Sequence, residues 1–525
     1  MSVPRPTPAS IATEHGLLVP FGRFADEIGL LDQLNQVPFA MKTVDHSPGE
    51  KLTELLVHIL AGGMHINELE TSPHPMVRDT AVAQSWGQAA FASASGVSDL
   101  LRAASSETVE GLKTAVRTVL APYRRRILRD LTPAQWVVDF DLTGLVVSDQ
   151  AKSYEDATFG YMGELGGLGR GYQFARAQLV GPRDPLLLGG FLHPGRTVSL
   201  HCLDELVTLV EAELGRPRRR VEVVERRLVE TETALAATEA AVNSVAQGRI
   251  VSARQLKRLE DQRVRQQAEV ARLRARRDEL VADNAANPNP RRILLRVDGG
   301  FGDADRLAEL YEQGYDFVAR PYSHRVGASL RQEAGLMWHK VSKNGFIAET
   351  SRTTLGSCPY PLRVFACRQW WGDDRPERWS ALVVNPELAC ADWSARRVGV
   401  FYNQRQVAEA SIKEGKGTFA SRHLPTRHAA GIAVYQELVL LAQNLTRWFR
   451  RQVLARTAVS ESGVKELVRI GAHSRALLIR SGERVLGVQF AADGPWRGLT
   501  VLSARISYQL WFPFLEESRF VRAGP

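Results

Sequence analysis

An α/β fold is predicted for this chain, and three segments carry the prediction. WVVDFDLTGLVV (Trp136 to Val147) alternates apolar and polar residues over a β-branched run, the period-2 pattern of a strand. RRILLRVDGGFGD (Arg291 to Asp303) is an apolar strand ending at Asp298; it turns on two glycines and continues into the helix-like DADRLAELYEQG. FYNQRQVAEASIKEGKGTF reads as a helix. Tyr402, Arg405, Glu409 and Lys416 advance through it by three, four and seven, which returns them to nearly one face.

The remaining elements follow in chain order. Residues 1–130 read as helical, with LTELLVHILAGG (Leu52 to Gly63) and VEGLKTAVRTVLAPYRRRIL (Val109 to Leu128) the most periodic stretches. Arg124 to Arg126 with Arg129 make a cationic helix end that suits phosphates and solvent equally. Residues 131–202 hold the first strand and its successors. From 203 to 285 the chain is rich in Ala, Glu, Arg, Leu and Gln. Val221, Val224, Leu228, Leu235, Val242 and Val245 sit at heptad-like spacing, and Leu256, Leu259, Val270, Leu273 and Leu280 follow after Gln247-Gly248. This predicts an antiparallel helical hairpin, with Thr231, Thr238, Arg263 and Arg277 as polar seam positions and RPRRR (Arg216 to Arg220) at its base. A dimerisation arm, a DNA-contacting arm and a spacer all fit it. Residues 286–334 carry the second strand. Residues 335–399 look β-rich and hold Trp338, Trp370, Trp371, Trp379 and Trp393. Residues 400–455 carry the helix with Glu409 and then AVYQELVLLAQNLTRWFR; residues 456–525 contain short strands (RALLIRS, ERVLGVQF), to which no role attaches.

Composition narrows the function. A net charge of +9 and a pI near 9.5 favour a polyanionic partner. Cys202, Cys358, Cys367 and Cys390 show no C-x2-C pairing, which points to a reducing cytosol and no zinc knuckle. No apolar run approaches the length of a membrane span, and MSVPRPTPAS at the start is polar, so a soluble, cytoplasmic protein is expected.

The candidate chemistry lies in carboxylates. Asp139 and Asp141 share a strand face, and Asp298 stands at a strand's carboxyl end, where open α/β sheets place their ligands. Asp303 suits a helix N-cap, and Asp298 itself would also serve as a turn former before Gly299. Glu409 can hold a divalent metal while Arg405 and Lys416 neutralise phosphate oxygens; an exposed, ion-paired helix would show the same pattern.

In the order strand Asp, strand-end Asp, helix Glu, the chain resembles the DDE transposases of bacterial insertion sequences, in particular the cut-and-paste class with a Y-x2-R-x3-E-x6-K signature. All four signature positions match, at Tyr402, Arg405, Glu409 and Lys416. DPLLLGGFLHPGR (Asp184 to Arg196), LVVNPEL (Leu382 to Leu388) and the A-x-N-L run at Ala442, Asn444 and Leu445 are similar to further landmarks of that family. The resemblance implies an RNase H-like catalytic core, a mixed sheet with helices, interrupted by the helical hairpin and the β-rich segment and preceded by a helical domain that recognises transposon ends. Carried over residue by residue, the catalytic and metal-binding triad is Asp141, Asp298 and Glu409. Asp139 remains an alternative to Asp141, which is favoured because Thr143 follows two residues on. Tyr402, Arg405 and Lys416 are implied to act at the DNA.

Two Mg²⁺ or Mn²⁺ ions, roughly 3.5–4 Å apart, would activate the entering oxygen and stabilise the leaving one. The implied partners are double-stranded DNA, as terminal inverted repeats and as target, and a second copy of the chain in a homodimeric synapse. In related transposases an insertion at this place holds flipped or hairpinned DNA, and aromatics stack well on an extruded base, although tryptophans in a strand-rich region are more often core residues. A structure-selective nuclease with the same core and a non-catalytic DNA-binding protein are the rival readings.

Overall fold

The computed structural model describes residues 12–43, 45–131, 136–163, 167–246, 253–372, 375–388, 393–481 and 484–502. Cys390, the Gln247-Gly248 turn and the LWFPF segment lie outside them. The chain is mixed α/β and divides into two compact units. One comprises residues 1–132, 141–198 and 406–525; the other comprises residues 133–140 and 199–405. Among the described residues no helix is long and apolar enough to cross a membrane.

In the first unit, helix Pro48–Leu60 starts on a reciprocal cap. Ser47 Oγ accepts the Glu50 N–H at 3.2 Å and Glu50 Oε2 accepts the Ser47 N–H at 2.6 Å, with Pro48 in the first turn. Helix Ser106–Asp130 opens on the same device at Ser105 and Thr108. Helix Ala429–Gln452 is buried almost continuously from Gly431 to Phe449, because helices and a strand surround it. The strand is Leu186–Pro194, which pairs antiparallel with Leu168–Leu179, itself antiparallel to Thr158–Tyr161. Asn444 of the helix answers the strand's main chain at Leu187 twice, accepting its N–H at 3.0 Å and donating to its carbonyl at 2.9 Å. A core helix thus carries an asparagine because a strand residue would otherwise bury two unpaired groups. The end of strand Trp136–Val146 lies beside Leu168–Leu179, with Val147 N donating to Arg170 O at 2.9 Å. Gly171 permits that approach, since a Cβ there would overlap Leu145 O. A separate antiparallel sheet pairs Ala12–Thr13 with Ala476–Ser481, followed by Arg484–Phe490 and Thr500–Leu502.

Two buried carboxyls in this unit set a pH dependence. Burial pushes Glu54 up to about 8 and Glu437 up to about 7, from an ordinary 4.5. The folded protein therefore holds protons that the unfolded chain has released, so stability is complete below about 4.5 and is lost as pH rises through these values. Glu437→Gln is expected to flatten that loss between pH 4.5 and 7 by about 1.4 kcal/mol per pH unit, read from urea midpoints. An unchanged pH slope would contradict it.

In the second unit the beginning of strand Trp136–Val146 pairs parallel with Ile293–Val297 (Trp136 opposite Ile293, Asp139 opposite Arg296). Ile293–Val297 pairs parallel with Asp316–Ala319. All five residues of Ile293–Val297 are buried, the signature of a parallel strand covered on both faces. The sheet continues antiparallel through Arg378–Val384, Arg363–Gln369, Gly345–Glu349 and His339–Lys340. The segment read as β-rich is therefore an extension of the same sheet. Trp393 joins its core, Trp338 and Trp379 meet edge to face at 5.5 Å, and Trp370 and Trp371 are exposed.

The hairpin is formed by helices Val221–Ala246 and Ala253–Ala285. Thr238 meets Gln262 while Arg227 meets Glu269, so the helices run antiparallel. Val224, Leu228, Val270, Leu273 and Leu280 form the seam. Two of the arginines at its base, Arg219 and Arg220, are structural. Arg219 binds Glu211 (2.8 Å), Asp283 (2.9 Å) and Gln313 O (3.0 Å), and Arg220 binds Asp316 (2.6 Å) and the carbonyls of Tyr311 and Tyr315 (both 2.8 Å).

Candidate active site

In the second unit Asp298 follows the last residue of strand Ile293–Val297. Its Oδ1 accepts the Gly300 N–H at 2.9 Å and its carbonyl accepts the Phe301 N–H at 3.1 Å, closing a tight turn. Glycine is required here for close approach: a Cβ on Gly302 would overlap Arg320 O, and one on Gly300 would overlap Ser199 Oγ. Asp303 caps helix Ala304–Glu312 by accepting the N–H groups of Asp305 and Arg306. Asp298 is a turn former and something more, because its side chain stays 37% exposed and its Oδ2 faces the Arg405 guanidinium at 3.4 Å.

The single helix expected over Tyr402 to Lys416 is two helices, Ala395–Asn403 and Gln406–Gly417, broken at Gln404 and Arg405. The signature residues consequently do not share one helical face. The break has a visible occupant, since Arg405 turns inward at 8% exposure and donates from Nη2 to Phe140 O at 2.8 Å as well as toward Asp298. Tyr402 is buried too; its hydroxyl donates to Val297 O at 3.4 Å, and burial pushes its pKa up.

Asp139 is set apart from the candidate metal ligands by its partner. Arg296 grips it with two parallel bonds, Nε to Oδ1 at 2.7 Å and Nη2 to Oδ2 at 2.8 Å, while Nη1 donates to Phe401 O at 2.9 Å. Both residues are 1% exposed. Asp139 thus has both oxygens engaged in tying the two parallel strands together, whereas Asp141, two residues on, is half-buried. Arg296 was a legible signal that the sequence reading passed over: a lone cation in ILLRV, a strand otherwise apolar, needs a buried counter-charge.

The first unit holds Asp141, Glu409 and Lys416. Glu409 is exposed on the first turn of helix Gln406–Gly417 and makes no hydrogen bond or ion pair among the described residues. Its helix is fastened along its length. Arg176 donates to Ala408 O at 3.1 Å, Gln443 donates to Ser411 O at 2.9 Å, and Arg447 pairs with Glu414 at 2.5 Å. At the far end Arg469 spans Gly62 O (2.9 Å) and Gly417 O (3.0 Å). Lys416 is buried at 8% exposure. Arg176 is the second residue that sequence reasoning missed; it lies on a strand, far in sequence from the helix whose carbonyl beside Glu409 it holds.

The donors present fit a hard divalent cation in kind: carboxylate oxygens, with Asp298 and Glu409 accessible and Asp139 excluded. Among the described residues no three Asp, Glu, His or Cys groups make a ready cage. Mg²⁺ typically binds through one or two carboxylates plus water and substrate phosphate. Compared with models of known protein families and with curated proteins, the chain gives no match.

Proposed function

We propose that this protein is a DDE-type transposase that binds transposon ends, cleaves the strand by metal-dependent hydrolysis and joins the exposed 3′-hydroxyl to target DNA. The observation that carries the reading is Asp298: an accessible carboxylate at the carboxyl end of a fully buried parallel strand, held by Gly300 on one oxygen and faced by a buried guanidinium on the other. The finer fold reading is an RNase H-like core. It is supported by strand Trp136–Val146, which has Leu168–Leu179 as a neighbour in one unit and the parallel Ile293–Val297 in the other.

In this reading Asp141, Asp298 and Glu409 are the carboxylates that serve the cleavage and joining steps. These carboxylates would hold Mg²⁺ or Mn²⁺, which would supply positive charge and Lewis acidity for phosphodiester chemistry. Arg405 holds the Asp298 side chain in place, and Arg176 fixes the turn that bears Glu409. Lys416 and Tyr402 support the same segments from buried positions rather than from the surface.

The test uses a labelled, pre-nicked copy of the element's own end, a supercoiled target plasmid and Mg²⁺, scored for joined product. Joining by the wild type that disappears in Glu409→Gln is expected. Cutting without joining would replace the reading by a structure-selective nuclease, and binding alone by a non-catalytic DNA-binding protein.

A further inference from the structure

Helix Ala253–Ala285 carries a stripe of cations on the flank of its apolar seam, about a quarter-turn around the helix from it. At 100° per residue, Val270, Leu273 and Leu280 face the partner helix, while Arg254, Arg258, Arg265, Arg272 and Arg276 fall within a stripe about 40° wide on the flank of that seam. The stripe has two regimes. Near the base its arginines are neutralised by protein: Arg272 pairs with Glu269 at 2.8 Å, and Arg276 pairs with Glu279 at 2.7 Å and with Glu312 at 2.8 Å. Toward the tip, Arg254, Arg258 and Arg265 are exposed, as is Lys257 on the stripe's flank, and none makes an ion pair among the described residues. Asp261 is the one acid on that stretch of the face, and it is paired to none of them.

Near the base the guanidinium groups are paired with carboxylates, and the same register continues toward the tip with three arginines that make no ion pair among the described residues. Arg254 to Arg265 spans about 16 Å at 1.5 Å per residue. That matches about five base pairs at 3.4 Å per phosphate along a strand. We infer that the distal half of the hairpin is a phosphate-binding arm for duplex DNA, its unneutralised stripe lying along one backbone without reading sequence. This deepens the transposase reading and rests on it. The arm gives the hairpin its role, and it separates the residues that hold DNA from the carboxylates that cut it.

The experiment measures the affinity of the full-length protein for a random-sequence 30-bp duplex by fluorescence anisotropy across a salt series. Neutralising four contacts (Arg254, Lys257, Arg258 and Arg265, each →Ala) should reduce the slope of log affinity against log salt by about 3 to 4, from a loss of about 0.9 per phosphate contact. The charge-conserving set Arg254→Lys, Arg258→Lys and Arg265→Lys should keep the slope. Arg274→Ala with Arg277→Ala, which removes two cations nearer the base that already pair with Glu232 and Asp278, should change it little. The four residues of the quadruple variant lie off the seam, so its helicity by circular dichroism should be retained.

A quadruple variant with the parental slope would overturn the arm. If that variant instead turned a dimer into a monomer at unchanged slope, the stripe would be a protein interface and the proposal wrong. A wild type that joins ends while the variant slope is unchanged would sink the arm alone, whereas a wild type with no DNA affinity would sink the transposase reading with it.

Discussion

Asp298→Asn should abolish strand cleavage and joining, by more than about 100-fold, while DNA affinity and folding stay close to the parent. The substitution is nearly isosteric, and the amide oxygen can still accept the Gly300 N–H that Asp298 Oδ1 now accepts at 2.9 Å. What changes is the second atom. An NH₂ replaces the oxygen that faces Arg405 at 3.4 Å, so the donor proposed for the metal is lost and two hydrogen-bond donors confront each other. Removing an outer-shell partner of a metal ligand typically costs 10–100-fold, and removing the ligand itself costs more. Arg405→Lys provides the graded comparison. A single ammonium cannot serve Phe140 O and Asp298 in the fork geometry of a guanidinium, so a loss of about 10–100-fold is expected. Single-turnover joining of a pre-nicked end, run beside an anisotropy titration of the same DNA, separates chemistry from binding. Parental rates in Asp298→Asn would remove the residue from the chemistry.

Arg296→Met should destabilise the second unit by about 3–5 kcal/mol, the cost of leaving a buried charge without its partner. Asp139 would keep its carboxylate at 1% exposure with neither oxygen bonded to a guanidinium, and Phe401 O would lose the Nη1 donor. Joining Asp139→Leu to Arg296→Met should recover most of that loss, because replacing both members of a buried ion pair with apolar groups is often neutral. Hydrogen exchange of the Ile293–Val297 amides reports the unit directly and avoids assuming one cooperative transition for a chain of two units. A loss below about 1 kcal/mol in the single variant would mean that the pair is solvated.

Elements written in one short periodic run were legible from sequence: the strand around Asp139 and Asp141, the strand ending at Asp298, the Asp303 cap and the hairpin seam from Val224 to Leu280. The break at Arg405 was not. Helical spacing runs unbroken through it, and only the buried carbonyl of Phe140, far away in sequence, explains why the guanidinium turns inward. Asp139 and Asp141 were indistinguishable for the same reason, since the residue that separates them is Arg296 on a neighbouring strand. Arg176 and Asn444 likewise act on main-chain atoms of distant elements, and main-chain partners leave no trace in side-chain patterns.

The interleaving of the two units has a consequence for the order in which the chain matures. The second unit needs only residues 133–140 and the continuous stretch 199–405. It can therefore collapse on the ribosome while the remainder is still being made. The first unit waits: its strand Ala12–Thr13 closes on Ala476–Ser481, and its central helix Ala429–Gln452 is what Leu186–Pro194 packs against. Contacts that span more than four hundred residues are slow to find, and until they form, the apolar faces of the early helices have no cover. Glu409 sits in that late unit although it follows Arg405 almost at once in the chain, so its helix stays unfastened after the setting of Asp298 is complete, until Arg447 and Arg469 have been made.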